Sequence, residues 1–279
     1  MWIKIALQEI SPVTLVAFRA ILGLIFGVGI IIIKRISLPH GLKSWSPLLI
    51  LGITNIAVPF FLISWGERTV DSSVAAVLDS TVPLFTILIA HFLLNDDKMT
   101  MPKVTGLLIG FAGVVVLLSK DINESAGNVI DQGAIVLAAL FYAGSGVYVR
   151  KATQNVPAVL RSMGPLLSAS FIMWITVFIT EKPFRIPDLG LTWISLLFLG
   201  VIGSGFAFIL AFYLIHEIGP TRTSMVTYIF PLGGVILGVV FLNEIITWQL
   251  IAGAVLIISS LIVVNLQPVR NPSLAKSIE

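Results

Sequence analysis

Long apolar runs separated by short polar connections dominate the chain. Nine runs predict complete helices, over residues 12–33, 46–65, 72–94, 101–118, 130–149, 157–179, 189–215, 219–242 and 248–266. A helical membrane crossing needs about 20 apolar residues. The runs are continuous and lack the strict alternation of apolar and polar positions that marks the strands of a membrane barrel. The pattern therefore predicts an all-α integral membrane protein.

The first seven residues predict the end of one more helix. Residues 1–7 are apolar except for Lys4, and they are too short to cross a membrane or to form the core of a signal peptide. We interpret them as the second half of a helix whose first half is missing. Nine complete spans and this partial one give a ten-helix bundle.

Composition narrows the class of protein. Of the 279 residues, 57% are hydrophobic and 11% are charged, and the mean hydropathy is +1.04. Soluble domains carry about 25% charged residues. This composition argues against a soluble enzyme, a disordered protein and a nucleic-acid binder. The chain has no cysteine, and it lacks the sequence motifs of serine hydrolases, zinc proteases and ATP-binding proteins. We expect no enzymatic activity, no cofactor and no metal.

Positive charge predicts the orientation in the membrane. If residues 12–33 run inward, 11 Lys and Arg residues lie on the inner side and 4 on the outer side. Cytoplasmic loops carry an excess of Lys and Arg. We therefore expect a multi-pass protein of the plasma or inner membrane with a cytoplasmic C-terminus.

An internal repeat relates the two halves of the chain. At an offset of 148 residues the matched positions are Leu51-Gly52 with Leu199-Gly200, Phe60 with Phe208, Pro83-Leu84 with Pro231-Leu232, and Leu94-Asn95-Asp96 with Leu242-Asn243-Glu244. Five spans in each half is an odd number, so the second half would insert upside down. Inverted repeats of this kind are typical of secondary transporters, whose substrate site lies near the midplane.

The repeat divides the chain into predicted regions. A first five-helix repeat, with a partial first helix, occupies residues 1–118. Residues 119–128 form a polar external linker, residues 129–266 form the second, inverted repeat, and residues 267–279 form a cytoplasmic tail.

Three stretches carry a family resemblance. They are WIKIALQEISPVTLVAFRA, SWGERTVDSSVAAVLDSTVPLFTILIAHFLLNDD and GPTRTSMVTYIFPLGGVILGVVFLNEIIT. With their small residues, central proline and closing Leu-x-acid, they resemble EamA-type members of the drug/metabolite transporter superfamily. The resemblance implies ten helices in a five-plus-five inverted repeat, and export or exchange of small metabolites. The chain departs from the family at Asn95 and Asn243, where a glycine is usual, and in its shortened first helix.

Two charges lie deep inside predicted spans. Arg19 and Asp79 each lie seven residues from the outer end of a span, about 10 Å deep at the rise of an α-helix. A charge inside a membrane is expensive and is a functional candidate. The two could form an ion pair that only orients helices, or they could bind substrate or a proton. Lys4 lies at a similar level and could compete for Asp79.

Prolines inside spans predict broken helices. Pro83 and Pro231 free the carbonyls of Asp79 and Thr227, which correspond in the repeat, and Pro59 frees the carbonyl of Asn55. A simple packing kink is the alternative. Because broken helices often build transporter sites, the predicted substrate-binding residues are Arg19, Asn55, Asp79, Ser80, Thr227 and Tyr228.

Two aromatic residues are candidate gates, and two charged residues are expected in solvent. Trp65 and Tyr213 correspond in the repeat and could gate the site or belong to the aromatic belts. Glu67 and Arg68 follow the span of residues 46–65 at its outer end, so we expect both to be solvated.

The sequence favours a secondary transporter in the lipid bilayer. It would export small metabolites such as amino acids by alternating access, with Asp79 facing an ammonium group and Arg19 a carboxylate. Alternatives are an exporter of cationic drugs or quaternary amines, or a non-transporting membrane protein. A coupling ion or proton is a candidate partner, and the sequence leaves the substrate, the direction and the oligomeric state open.

Overall fold

The computed structural model describes residues 1–35, 42–94, 99–122, 126–154, 156, 158–182 and 186–265. These residues are helical almost throughout, and none of them lies in a β-strand. The predicted all-α class is confirmed.

The described residues form α-helices in the following chain order: α1 (Trp2–Ala6), α2 (Pro12–Lys34), α3 (Leu42–Leu51), α4 (Val58–Gly66), α5 (Ser72–Asp79), α6 (Val82–Leu93), α7 (Met101–Ile122), α8 (Ala126–Ala152), α9 (Ala158–Thr180), α10 (Gly190–Leu197), α11 (Ala207–Ile218), α12 (Pro220–Ser224), α13 (Ile229–Leu242) and α14 (Trp248–Asn265). A π-helical segment joins α3 to α4 (Gly52–Ala57), another joins α10 to α11 (Phe198–Phe206), and a 3₁₀ segment joins α12 to α13 (Met225–Tyr228).

The start of α2 illustrates how the sequence sets these boundaries. Ser11 takes an extended conformation, and its hydroxyl accepts a hydrogen bond from the backbone N–H of Thr14 at 3.1 Å. Pro12 occupies the first helical position, where a missing N–H does no harm. Lys34 lies in the last turn, where its positive charge complements the helix dipole.

Six helical runs are long and apolar enough to cross a membrane: Pro12–Lys34, Trp45–Gly66, Ser72–Leu93, Val129–Ala152, Val159–Thr180 and Gly190–Ile218. Each coincides with one of the nine predicted spans. The remaining three predicted spans correspond to the shorter apolar helices Met101–Leu117, Gly233–Leu242 and Trp248–Val264. The chain is therefore a multi-pass membrane protein.

The predicted linker is partly helical. Helix α7 continues to Ile122 and α8 begins at Ala126, so only residues 123–125 of the linker lie outside the described residues. Residues 267–279, the predicted tail, also lie outside the described part of the chain.

The irregular segments correspond in the two halves of the chain. Residues 52–57 shifted by 148 fall on residues 200–205, inside the second π-helical segment. The interruption between α5 and α6 likewise falls on the 3₁₀ segment before α13. Single π-helical turns inside α-helices are rare and are frequent at functional sites. These irregular segments therefore mark where a site is to be sought.

Small residues let α2 approach the second half of the chain. Helix α2 packs along α9 and along the second π-helical segment. A Cβ atom on Gly23 would lie 2.9 Å from the carbonyl oxygen of Gly200, and one on Gly200 would lie 2.6 Å from the Cβ of Leu22. Backbones separated this closely are typical of small-residue contacts between membrane helices.

We expect Gly23→Ala to destabilise the protein by about 1–3 kcal/mol, the usual penalty of overpacking. The new methyl group would meet the backbone of Gly200, which cannot rotate away. Gly29→Ala is the matched control on the same helix, because nothing lies within 4 Å of its Cβ position. Thermal unfolding in detergent, followed by tryptophan fluorescence, measures both. Equal melting temperatures for the two variants would contradict the close contact.

Candidate functional site

Arg19 lies in the middle of α2 and reaches across to the second half of the chain. Its Nε–H donates a hydrogen bond to the hydroxyl of Ser204 at 2.7 Å. Its guanidinium carbon lies 3.6 Å from the centre of the Phe60 ring. Stacking on an aromatic face suits the planar, weakly hydrated guanidinium. Among the described residues no carboxylate forms a salt bridge with Arg19, which is held by Phe60 and Ser204.

Asp79 is the last residue of α5, and its carboxylate is incompletely satisfied. Its Oδ1 atom is buried and has no hydrogen-bond partner among the described residues. Asp79 and Arg19 interact electrostatically, but they form no salt bridge within 4.0 Å, whereas Lys4 lies 3.3 Å from Asp71 and 3.8 Å from Glu244. The structure therefore does not show the direct ion pair that was one of the two alternatives, and the Arg19 guanidinium contacts Phe60 and Ser204 instead.

An aromatic wall completes the surroundings of Arg19. The ring centre of Phe60 lies 6.5 Å from that of Tyr142 on α8 and 5.8 Å from that of Phe208 on α11. Tyr142 interacts electrostatically with both Arg19 and Asp79. Tyr142 carries no distinguishing signal in the sequence, because it is one of several aromatic residues inside the predicted spans. Phe60 and Phe208 did carry a signal, because they correspond in the repeat.

The interrupted helix places Asp79 beside two buried hydroxyl groups. Ser80 and Thr81 lie between α5 and α6, and both are fully buried. Their hydroxyls donate to the carbonyls of Val77 and Leu78, each at 2.6 Å. Pro83 follows at the start of α6, where it imposes no loss of a hydrogen bond. The Ser80 hydroxyl therefore donates its hydrogen to the end of α5, next to the interruption.

The corresponding segment of the second half is also interrupted before its proline. Thr227 belongs to the 3₁₀ segment, and its hydroxyl donates to the carbonyl of Ser224 at 2.8 Å. Pro231 is buried near the start of α13. The side chain of Tyr228, another predicted binding residue, lies outside the described part of the structure.

Asn55 lies on the first π-helical segment and carries a second unsatisfied polar group. The residue is 4% exposed, and its Nδ2 atom has no partner among the described residues. Pro59 lies four residues further along the chain, at the second position of α4. A buried amide without a partner is expensive in a folded protein. Asn55 and Asp79 thus have unused hydrogen-bonding capacity that a ligand could satisfy.

The two candidate gates lie on different helices. Trp65 is near the C-terminal end of α4, and the guanidinium carbon of Arg68 lies 5.3 Å from its ring centre. Tyr213 is in α11, and it is 49% exposed on the surface of the bundle. Neither is among the contacts of Arg19 described above. Their role as gates stays a prediction.

A polar cluster joins the first half of the chain to the connection between α13 and α14. The carboxylate of Glu244 accepts hydrogen bonds from the backbone N–H groups of Ser72 and Ser73, at 2.7 and 2.9 Å, and from the Ser73 hydroxyl at 2.7 Å. Lys4 lies 3.8 Å from Glu244 and 3.3 Å from Asp71. We call these contacts of Glu244 with Ser72 and Ser73 the outer latch.

This cluster corrects two expectations. Lys4 does not compete for Asp79, because Asp71 and Glu244 bind its ammonium group. Glu67 is not solvated: it is 7% exposed and accepts a hydrogen bond from the Ser72 hydroxyl at 3.2 Å. Arg68 is exposed, as expected. Glu67 lies beside the start of α5, where the Ser72 hydroxyl donates to it and in turn accepts a hydrogen bond from the amino group of Met1 at 3.0 Å.

The pKa values of the two glutamates move in opposite directions. Burial acts to raise the pKa of Glu244, but the hydrogen bonds from Ser73 and Ser72 and the charge of Lys4 outweigh it, and the net pKa is lowered. Burial raises the pKa of Glu67, and the nearby charge of Glu244 adds to the rise. The hydrogen bonds from Ser73 and Ser72 therefore stabilise the carboxylate form of Glu244, whereas burial favours the protonated form of Glu67.

Within the described ranges no three His, Cys, Asp or Glu side chains are grouped so that they could hold a metal ion. The fold and the site together define a class: a multi-pass helical membrane protein with a charged, aromatic-lined site between its interrupted helices.

The chain belongs to the EamA-like transporter family, which matches residues 1–119 and 132–266. It is 27% identical over 263 residues to the uncharacterized transporter YoaV of Bacillus subtilis, covering 91% of this chain and 87% of that protein. It is 25% identical over 240 residues to the uncharacterized inner membrane transporter YedA of Escherichia coli K12, covering 85% and 76% of the two chains. The resemblance to this family is confirmed, and the protein is a membrane transporter.

A solved crystal structure shares the fold. It aligns with a TM-score of 0.72 over 97% of this chain and 95% of its own, at 20% sequence identity. The family and the relatives' names point to a transporter rather than to an enzyme.

Proposed function

We propose that this protein is a secondary transporter that exports small zwitterionic metabolites, such as amino acids, by alternating access. The observation that carries the proposal is the pair formed by Arg19 and Asp79. The two opposite charges interact at long range, and neither neutralises the other by direct contact. A zwitterion placed between them would give each charge a partner.

Each group has a distinct role in this proposal. Arg19 offers a planar fork of N–H donors to a carboxylate. The free Oδ1 atom of Asp79 would accept a hydrogen bond from an ammonium group. Phe60, Tyr142 and Phe208 provide an apolar surface for the substrate side chain, and Asn55 would donate from its unused Nδ2 atom. Ser80, Thr227 and Tyr228 would shape the interrupted helices.

The alternating-access part of the proposal rests on the repeat. Corresponding π-helical segments and interruptions in the two halves support a five-plus-five inverted arrangement. The site residues come from both halves, since Arg19 and Phe60 meet Ser204 and Phe208. A rocking motion of one half against the other would open the site to each side in turn. The proposed location is the plasma or inner membrane, with the C-terminus in the cytoplasm.

The decisive experiment is counterflow in sealed liposomes. Liposomes containing the purified protein are loaded with one unlabelled metabolite, and uptake of the same labelled metabolite is followed. We expect transient accumulation for one or more neutral amino acids or related zwitterions. Liposomes without protein are the control for leak. Counterflow of no member of a broad zwitterion panel would reject the proposed substrate class.

Export of cationic drugs or quaternary amines is a second candidate. The aromatic wall and Asp79 favour it, because rings and one buried acid suit an organic cation. The same counterflow assay separates the two. Quaternary amines exchange without needing Arg19, so their transport would survive Arg19→Ala, whereas transport of a zwitterion would not.

A further inference from the structure

Glu67 lies between the outer latch and the charged site. Towards the outside, Ser72 joins it to Glu244: the Ser72 hydroxyl donates to Glu67 at 3.2 Å, while the Ser72 backbone N–H donates to Glu244 at 2.7 Å. Towards the inside, Glu67 interacts electrostatically with Arg19 and Asp79. It is a buried acid that the proposed substrate contacts do not use.

The outer latch holds the first turn of α5 through the hydrogen bonds of Glu244. Ser72 is the first residue of this helix and Asp79 is the last, about 10 Å apart at the rise of an α-helix. The side of α5 packs on α13, where a Cβ on Gly234 would lie 2.2 Å from the Cβ of Ala76. Releasing Glu244 from Ser72 and Ser73 would let α5 move away from α13. Such a movement would expose Asp79 to the outer water.

Resting on the proposed transport function, we propose that Glu67 is a proton-binding site that controls this latch. With a proton on Glu67, the latch is closed. When Glu67 loses its proton to the outer water, its negative charge repels that of Glu244, which binds the same residue, Ser72. The repulsion opens the latch. The proton is taken from the outer water and returned to it, so no other reactant is needed.

The charges around Glu67 act in both directions: the amino group of Met1 and the charge of Lys4 lower its pKa, whereas the charge of Glu244 raises it. Those that face it, or that lie on elements packed against its turn, are the amino group of Met1, Lys4, Arg19, Asp71, Asp79, Asp131 and Glu244. Glu244 is fixed by three hydrogen bonds at the start of α5, so a second negative charge beside it is unfavourable. Two acids that share one site divide a single proton between them. Of the two glutamates, Glu244 accepts three hydrogen bonds, whereas within the described part of the chain Glu67 accepts one, from Ser72.

The pH dependence has a definite sign. In the closed latch, burial and Glu244 raise the pKa of Glu67 from its ordinary 4.5. Once the latch is open to water, the pKa returns toward that value. The proton therefore stabilises the closed form at low pH, and this stabilisation is lost as the pH rises through the raised pKa. Between the two pKa values, each pH unit favours opening by up to about tenfold.

A single cysteine can report the opening, because the chain has no native cysteine. Gly203 offers the position: a Cβ there would lie 3.7 Å from Nη2 of Arg19, an ordinary contact. Gly203→Cys is labelled on intact cells with a membrane-impermeant, anionic methanethiosulfonate reagent between pH 5 and 8. Lys182→Cys, an exposed position in the connection between α9 and α10, reports reagent access and surface expression in each background.

We expect the labelling rate of Gly203→Cys to rise with external pH more steeply than in the same background carrying Glu67→Gln. The same cysteine is labelled in both proteins, so comparing their two pH profiles removes the contribution of thiol ionisation. Glu67→Gln should stay slow, since glutamine resembles the protonated acid, and Glu67→Asp should restore a pH-dependent rise. Glu181→Gln, another acid of the outer connections, should keep the parent profile.

Several outcomes would overturn the assignment. One is a labelling rate that rises with pH as steeply in Glu67→Gln as in the parent protein, which would mean that ionisation of the thiol alone explains the rise. Another is no labelling of Gly203→Cys at any pH while Lys182→Cys reacts. The assay contains no substrate, so it is independent of the counterflow test. Glu67-dependent labelling without zwitterion counterflow would reject only the proposed substrate, and the reverse combination would reject only the proton site.

Discussion

Arg19→Ala is expected to lower the rate of zwitterion counterflow at least about 30-fold, which corresponds to about 2 kcal/mol. Among the described residues of the site, Arg19 is the only one that carries a positive charge deep inside a span, and the substitution removes that charge. It also removes the cation above the Phe60 ring and the donor to Ser204. A substrate carboxylate would then enter a low-dielectric site without a partner. Initial counterflow rates in liposomes with equal protein content measure the loss.

Arg19→Lys tests whether the shape of the charge matters. Lysine keeps the charge but offers neither the planar fork nor the stacking of a guanidinium, so we expect only partial recovery. Arg222→Ala, at an exposed arginine of α12, should leave the rate unchanged. If Arg19→Ala transported zwitterions at the parent rate, the assignment of the substrate site to Arg19 would be wrong.

The membrane spans were predictable because continuous apolar runs leave the backbone few choices. In a bilayer every N–H and C=O group must be satisfied within the chain, so an apolar run of sufficient length becomes a helix. The prolines lie near interruptions: Pro83 and Pro231 each follow one. The sequence argument placed the freed carbonyls four residues before each proline, at Asp79 and Thr227, and in the structure each proline lies near the start of the helix that follows the interruption.

The π-helical segments could not be predicted from the apolar pattern. An α-helix, with hydrogen bonds between residues i and i+4, and a π-helix, with bonds between i and i+5, bury similar amounts of apolar surface. Hydrophobicity therefore does not distinguish them. The register of the repeat did point to these places, through Gly52 and Gly200 and through Phe60 and Phe208. It did not reveal that both segments change from α to π geometry.

The partners of the charged groups depend on contacts between distant parts of the chain. Arg19 and Ser204 are 185 positions apart, and nothing in either local sequence indicates the hydrogen bond. Glu67 was misjudged for the same reason: beside exposed Arg68 it resembles a solvated loop residue, but it is buried and accepts a hydrogen bond from Ser72 of α5. Depth along a span could be predicted, while the identity of the neighbour on another helix could not.

Asp79→Asn is expected to reduce counterflow at least about 30-fold, again about 2 kcal/mol, and at the same time to raise the melting temperature. The amide cannot carry the negative charge that would face a substrate ammonium. A neutral side chain of the same size also removes a carboxylate whose Oδ1 atom is buried without a hydrogen bond, which is an expensive arrangement. Binding sites commonly retain such strain for function. Counterflow and thermal unfolding on the same preparation measure both effects.

The double variant Arg19→Ala with Asp79→Ala separates a binding pair from a structural ion pair. A structural pair leaves one charge uncompensated in each single variant, so removing both would restore stability and transport. Because Arg19 and Asp79 form no salt bridge within 4.0 Å in this structure, we expect the double variant to remain inactive. Asp188→Asn, at an exposed acid outside the spans, should behave like the parent. Normal transport by the double variant would show that the substrate binds elsewhere.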